Sequence, residues 1–205
     1  MKVTVLFSDP WHPAYPHIKK WCKDNDYFLV NFKGELVGGE YLFLISCTEI
    51  MPPEIRNKYE RVLVLHESDL PKGRGWSPLA WQIVEGKNEI VVSLIEAADP
   101  VDTGNVIVEC TVRFKGHELH EDIHEQIASA KITLIEAFIN CPLNGIQQAG
   151  EPTYYRQRTA EDSRIDPGKS IAEQFDLLRI CDPRFPAFFD HRGHRYTLTI
   201  QHETR

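Results

Sequence analysis

The sequence predicts an α/β fold with a mostly parallel sheet flanked by helices, and three observations carry that expectation. Val3–Phe7, Tyr41–Ile45 and Val62–Leu65 are short, nearly continuous apolar runs without polar alternation, the pattern of strands covered on both faces. Helical spacing and helix-opening prolines fall between these runs. A long amphipathic stretch then closes the first two thirds of the chain, and strands alternating with helices favour this class over an all-α or all-β fold.

Taken in order, Val3–Phe7 ends in Ser8-Asp9-Pro10 and reads as a buried strand entering a loop. Ile18, Trp21 and Cys22 then recur at helical spacing, and Tyr27–Val30 is a second short strand. Gly38-Gly39 marks a turn before Tyr41–Ile45. Pro52-Pro53 opens a short helix, and Val62–Leu65 is the next strand. A polar loop, His66 to Ser77, follows; Pro78 starts a helix to about Glu85, with Ser77 in the N-cap position. Ile90–Ile95 and Asn105–Phe114 are strands. From Glu118 to Ile139, Leu119, Ile123, Ile127, Ala130, Leu134 and Phe138 form one apolar stripe, and Pro142 stops it. Residues 143–205 are polar and turn-rich, with a short helix near Ile171–Arg179 and a late strand, Arg195–Gln201. The chain therefore divides into 1–140 and a C-terminal α+β extension, 141–205.

Composition narrows the function. With 23 Lys and Arg against 30 Asp and Glu, the net charge is −7, which disfavours nucleic acid as a partner because phosphate binding needs clustered cations. Five cysteines, odd in number and without a C-x-x-C pair, point to reduced thiols and a cytoplasmic protein. No stretch reaches the ~20 apolar residues of a membrane span. A monomer or homodimer without membrane contact is expected.

The loop after Val62–Leu65 carries the chemistry. In open α/β sheets ligands bind beyond the carboxyl ends of strands, which is where His66 falls. His66-x-Ser68-x-Leu70-Pro71-x-x-Arg74-Gly75 resembles the signature of the folate-dependent formyltransferases, and Asp102-Thr103-Gly104, 36 residues beyond His66, resembles that family's Asp-x-Gly element. Tyr154-Tyr-Arg-Gln-Arg-Thr-Ala-Glu-Asp-Ser-Arg-Ile-Asp166, Phe175–Arg179 and Arg184–Phe189 are similar to the segment after the catalytic domain in sugar-nucleotide N-formyltransferases. Relatives of that subgroup act on 4-amino sugars, the pseudaminic-acid pathway type among them. The resemblance implies a Rossmann-like catalytic domain over 1–140, with 141–205 contributing to the substrate site.

It also implies transfer of a formyl group from N10-formyltetrahydrofolate, a cosubstrate, to the amine of a UDP- or dTDP-linked amino-deoxy sugar, with no metal. The amine must lose a proton and the folate nitrogen must gain one, work suited to an imidazole that titrates near neutrality. His66 is the expected general base or oxyanion partner, and Asp102 supports its charged form. The family usually has Asn two residues before this His; here stands Val64, which donates no hydrogen bond. Losing an oxyanion donor costs about 2.7–4 kcal/mol, so Ser68 or a backbone N–H is expected to replace it. Folate is expected against Thr48, Ile50 and Met51 on one loop and Glu96, Ala97 and Asp99 on another. For the sugar nucleotide the candidates are Ser8 and Asp9 at the end of the first strand, with His12 nearby, Lys72 and Arg74 for the diphosphate, and Trp76, Tyr154 or Tyr155 for stacking.

Three other readings compete. A methionyl-tRNA formyltransferase would need a basic RNA-binding domain, and Val64 leaves room for a folate-binding homologue without catalysis. His120-Glu-Asp-Ile-His124 has the spacing of a zinc protease helix, but no third ligand follows, and measured from the Leu119 stripe both histidines fall on the flank or solvent side. The first loop lacks the G-x-G-x-x-G of dinucleotide binding.

Overall fold

The computed structural model describes residues 1–203. In chain order the elements are β1 (Val3–Phe7), α1 (Tyr15–Asp24), β2 (Phe28–Val30), β3 (Gly39–Ile45), α2 (Pro53–Arg56), β4 (Tyr59–His66), β5 (Arg74–Gly75), α3 (Pro78–Val84), β6 (Glu89–Glu96), β7 (Val106–Arg113), α4 (His120–Asn140), β8 (Tyr154–Tyr155), α5 (Phe175–Ile180), β9 (Ala187–His191) and β10 (His194–Leu198). A six-stranded sheet runs β2-β1-β3-β4-β6-β7. β2, β1, β3 and β4 are parallel, with Leu6 beside Leu44 and Leu44 beside Val64. β4–β6 and β6–β7 are antiparallel. The loop 97–105 is too short for the crossover of about a dozen residues that a parallel partner needs, so β7 must return antiparallel.

Alternation along the strands divides the core. Val5, Phe7, Phe43, Ile45, Leu63 and Leu65 pack with Ile18 of α1, Ile83 of α3 and Ile123, Ile127, Leu134 and Phe138 of α4. Leu6, Leu42, Leu44 and Val62 pack on the other face with Leu36, Met51 and Tyr59. β3 and β4 are therefore covered on both sides, as their apolar runs require. β7, at the sheet edge, alternates half-buried and exposed residues.

Two local expectations need correcting. Ser77 takes a left-handed conformation, φ 51°, and its hydroxyl does not cap α3. The late strand is His194–Leu198, ending short of Gln201, and pairs with β9 across Arg192-Gly193, both at positive φ, as a two-residue hairpin turn demands.

The C-terminal segment is fastened to the sheet domain. β8 pairs in parallel with β5, Trp81 Nε1 donates to the Arg156 carbonyl at 2.8 Å, and buried Arg179 donates to Asn88 Oδ1 at 2.7 Å. Arg184 reaches back to Asp9 at 2.9 Å. Among the described residues no helix is long and apolar enough to cross a membrane.

Candidate active site

A cavity of about 900 Å³ opens over the carboxyl ends of β3 and β4, next to where the strand order reverses, between β1 and β3. On one side it is walled by the loop after β3, including Thr48, Ile50 and Met51, and by Ala97 to Asp102; on the other by Asp9 and His12, by His120 and His124 of α4, and by Arg158, Asp182 and Phe185. Leu44, Val64, His66 and Glu67 form its floor.

His66 ends β4, and by alternation its side chain shares the face of Val62 and Val64. It is 5% exposed. Nε2 lies 2.9 Å from the Gly73 carbonyl. A carbonyl only accepts, so Nε2 carries a hydrogen and Nδ1 is the nitrogen free to exchange a proton. Nδ1 is 3.6 Å from Asp102 Oδ1, too long for a hydrogen bond but within reach of an ion pair or one bridging water. Asp102 is itself buried.

The carboxylate is held by its surroundings. Gly75 N–H donates to Asp102 Oδ2 at 2.9 Å, and Asp102 sits at φ 62°, where a non-glycine residue is strained. Gln148 donates from Nε2 to the carbonyls of Asp102 (2.9 Å) and Gly104 (2.8 Å), and its Oε1 accepts from Arg74 Nη2 at 2.6 Å. At Gly104 a Cβ would collide with the Glu96 carbonyl, so the Asp-x-Gly element needs glycine for close approach. Sequence reasoning missed Gln148, since a single amide in a polar loop carries no signal.

The structure brings His66, Asp102, Thr48, Ile50, Met51, Ala97, Asp99, Asp9, Trp76 and Tyr154 to the cavity wall. It does not bring the others there. Ser68 is buried with its hydroxyl unpartnered, beneath the loop rather than on the cavity, and is no substitute donor for Val64. Glu96 pairs with Arg61 at 2.8 Å. The Ser8 hydroxyl sits 3.6 Å from the Cys47 thiol. Arg74 is engaged by Gln148, and Lys72 is exposed away from the cavity. Tyr155 stacks on Trp81 and donates to Glu85 at 2.8 Å. The loop cations expected to hold a diphosphate are thus not on the cavity wall.

His120 and His124 correct a second expectation. They do not lie on a solvated face: His120 is buried and both line the cavity, because residues 158–185 cover the flank of α4 that the apolar stripe left open. Among the described residues no group of three His, Cys, Asp or Glu is placed to hold a metal ion. Beside them the Lys131 ammonium, 1% exposed, forms an ion pair with Glu67. Burial pushes the Glu67 carboxyl up, but Lys131 and His66 outweigh it and the net shift is downward.

Comparison with known proteins agrees with this geometry. The formyl transferase family model matches residues 30–138, more than half of the chain. A methionyl-tRNA formyltransferase from Clostridium thermocellum superposes with TM-score 0.86 at 23% identity, covering 100% of this chain and 94% of that one. A 4-N formyltransferase from Francisella tularensis does so with TM-score 0.71 at 16% identity, covering 100% and 98%. HypX from Aquifex aeolicus, in complex with tetrahydrofolic acid, gives TM-score 0.77 at 17% identity over 98% of this chain, which spans 37% of HypX. The matched segment contains β4, the His66 loop and the Asp102-Thr103-Gly104 turn, and by it the chain belongs to the formyl transferase family of enzymes.

Proposed function

We propose that the protein transfers a formyl group from N10-formyltetrahydrofolate to the amine of a nucleotide-linked amino sugar, with residues 1–140 as the catalytic domain and 141–205 completing the acceptor side of the cavity. The observation that carries the reading is the buried His66–Asp102 pair at 3.6 Å on the cavity floor. The sugar N-formyltransferases among its structural neighbours, such as the one from Shewanella, support the acceptor class.

The donor side fits a flat heterocycle. Leu44, Met51, Val64 and Ala97 give an apolar slot, edged by the backbone of the loops at 46–51 and 97–102, where amides and carbonyls are available to ring nitrogens. When bound, the formyl-folate would supply the electrophilic formyl carbon, and its N10 would be the leaving group, gaining a proton as its bond to that carbon breaks. His66 Nδ1 takes the proton released by the attacking amine, since Nε2 is committed to Gly73. Asp102 stabilises the imidazolium so formed, held by Gly75 N–H and, through its carbonyl, by Gln148. Closure by the C-terminal segment keeps water from competing as the nucleophile.

The test is a panel of UDP- and dTDP-linked amino sugars incubated with N10-formyltetrahydrofolate and read by mass spectrometry. One acceptor is expected to gain a single formyl group, with His66→Ala inactive on it. Failure of every member, or turnover that survives His66→Ala, overturns the proposal.

A further inference from the structure

His12, His120 and His124 face one end of the cavity together, from the β1–α1 loop and the first two turns of α4. The rings of His12 and His124, and of His120 and His124, meet edge to face with centroids 4.5 Å apart in both cases. They form one continuous surface of three imidazoles. His12 Nδ1 accepts the Ala14 N–H at 3.1 Å, which leaves Nε2–H as its free donor. Among the described residues neither His120 nor His124 makes a hydrogen bond, and His120 Nδ1 is buried without a partner. Apart from His120 Nδ1, none of the open ring nitrogens is sealed from the cavity, so this wall offers several hydrogen-bonding positions to a polar ligand.

The charge of that wall limits what completes it. Burial, and next the Lys131 ammonium, lower His12 to about 4. Burial, with His12 and His120 alongside, pushes His124 well down. Burial also lowers His120, against the pull of Asp182 and with the push of Arg184 and Arg158. The imidazoles are therefore neutral at pH 7. Of the cations around them, Lys131 is paired with Glu67 and Arg184 with Asp9 and Asp182. Arg158, also on the cavity wall, gives one bond to the Asp162 carbonyl but keeps its charge without a carboxylate partner among the described residues, and so is the cation open to a phosphate beyond the rings. Phosphate is recognised by cations or by converging backbone N–H groups, and the three rings supply neither. Neutral imidazoles do offer both donors and acceptors, which hydroxyl groups match one for one.

We propose that the His12–His124–His120 surface seats the uncharged, hydroxyl-bearing ring of the acceptor, with any phosphate lying beyond it. This rests on the amino-sugar reading above and adds which residues read the sugar. Two experiments separate the surface from that reading. The ring resonances of the three histidines, assigned with single His→Phe variants of the full chain, are followed by NMR without folate during titration with free 2-amino-2-deoxyglucose and, separately, with inorganic diphosphate. The amino sugar is expected to shift all three histidines and diphosphate none. In turnover with the best acceptor of the panel, His124→Phe and the more conservative His12→Gln are expected to raise the acceptor KM about tenfold, the loss of a hydrogen bond, and to leave the KM for the formyl donor unchanged. Diphosphate shifting the rings, no response to the amino sugar up to its solubility limit, or an equal rise in the donor KM would overturn the assignment. The NMR titration needs no turnover, so it decides for or against the histidine surface even where every acceptor of the panel fails.

Discussion

Removing the countercharge of Lys131 is the sharpest test of how α4 is tied to the floor of the site. Lys131 is 1% exposed and Glu67 15% at the side chain, and their ion pair joins α4 to the residue after His66. In Glu67→Gln the ammonium stays buried without its partner, which costs about 3–5 kcal/mol. For a chain of this length each kcal/mol moves Tm by about 2–4 °C, so a fall of about 6–20 °C is expected. Adding Lys131→Met removes the orphaned charge, and a well-packed apolar replacement is neutral or better; the double variant should recover most of the loss. The sign with pH is also fixed. The folded Glu67 carboxyl titrates below its usual value of 4.5, so its contribution is full above that value and is lost as the pH falls through the native one. Urea denaturation of the wild type, both single variants and the double variant at pH 7, repeated in acid, measures the cycle. A Glu67→Gln change under about 1 kcal/mol, or a gap to wild type that stays constant into acid, would refute a buried pair, since surface pairs behave that way.

Three further outcomes follow from the same geometry. His12 is lowered from 6.5 to about 4, so the folded state binds fewer protons between those values and stability rises with pH across that window, by at most about 3 kcal/mol; His12→Phe should flatten it, and an unchanged slope in urea titrations would contradict the effect of burial. Val64 stands on the cavity floor where Ser68 offers no donor, so Val64→Asn should raise kcat, by up to the ~10²-fold worth of an oxyanion donor; a fall in rate would mean the site already has one. Gln148→Leu releases the Asp102 and Gly104 carbonyls and should lower kcat about tenfold or more through misplacement of the carboxylate, with the acid limb of the pH–rate profile displaced; a loss of Tm alone would make Gln148 a scaffold residue only.

Much of the sheet was legible because burial on both faces leaves a plain mark: Tyr41–Ile45 and Val62–Leu65 have nowhere polar to point, and they became β3 and β4. The direction of β6 and β7 was less so, because an apolar run carries no sign of its orientation. The short loop between them fixes only that β7 runs opposite to β6. The β9–β10 hairpin is not legible because Arg192-Gly193 lacks the usual Asn-Gly signature although both residues take positive φ. His66 and Asp102 stood out by order and spacing, whereas His120 and His124 were misplaced for a physical reason. A helical stripe shows which face meets the sheet. It says nothing of a second layer from residues 158–185 covering the flank. Lys72 and Arg74 carry charge on a loop, but nothing in a sequence marks that the Arg74 guanidinium is spent on Gln148, 74 residues away.

His66 Nδ1, beside Asp102, is the proton-exchanging atom on which the proposed chemistry depends. Formyl transfer by wild type, His66→Ala and Asp102→Asn, followed as product mass against time across pH, puts that assignment to trial. A fall in kcat of about 10²–10⁴ is expected for His66→Ala, the usual worth of a general base, and for Asp102→Asn a large fall with a displaced acid limb. Activity retained in His66→Ala, or an Asp102→Asn profile that overlays the wild type, would contradict it.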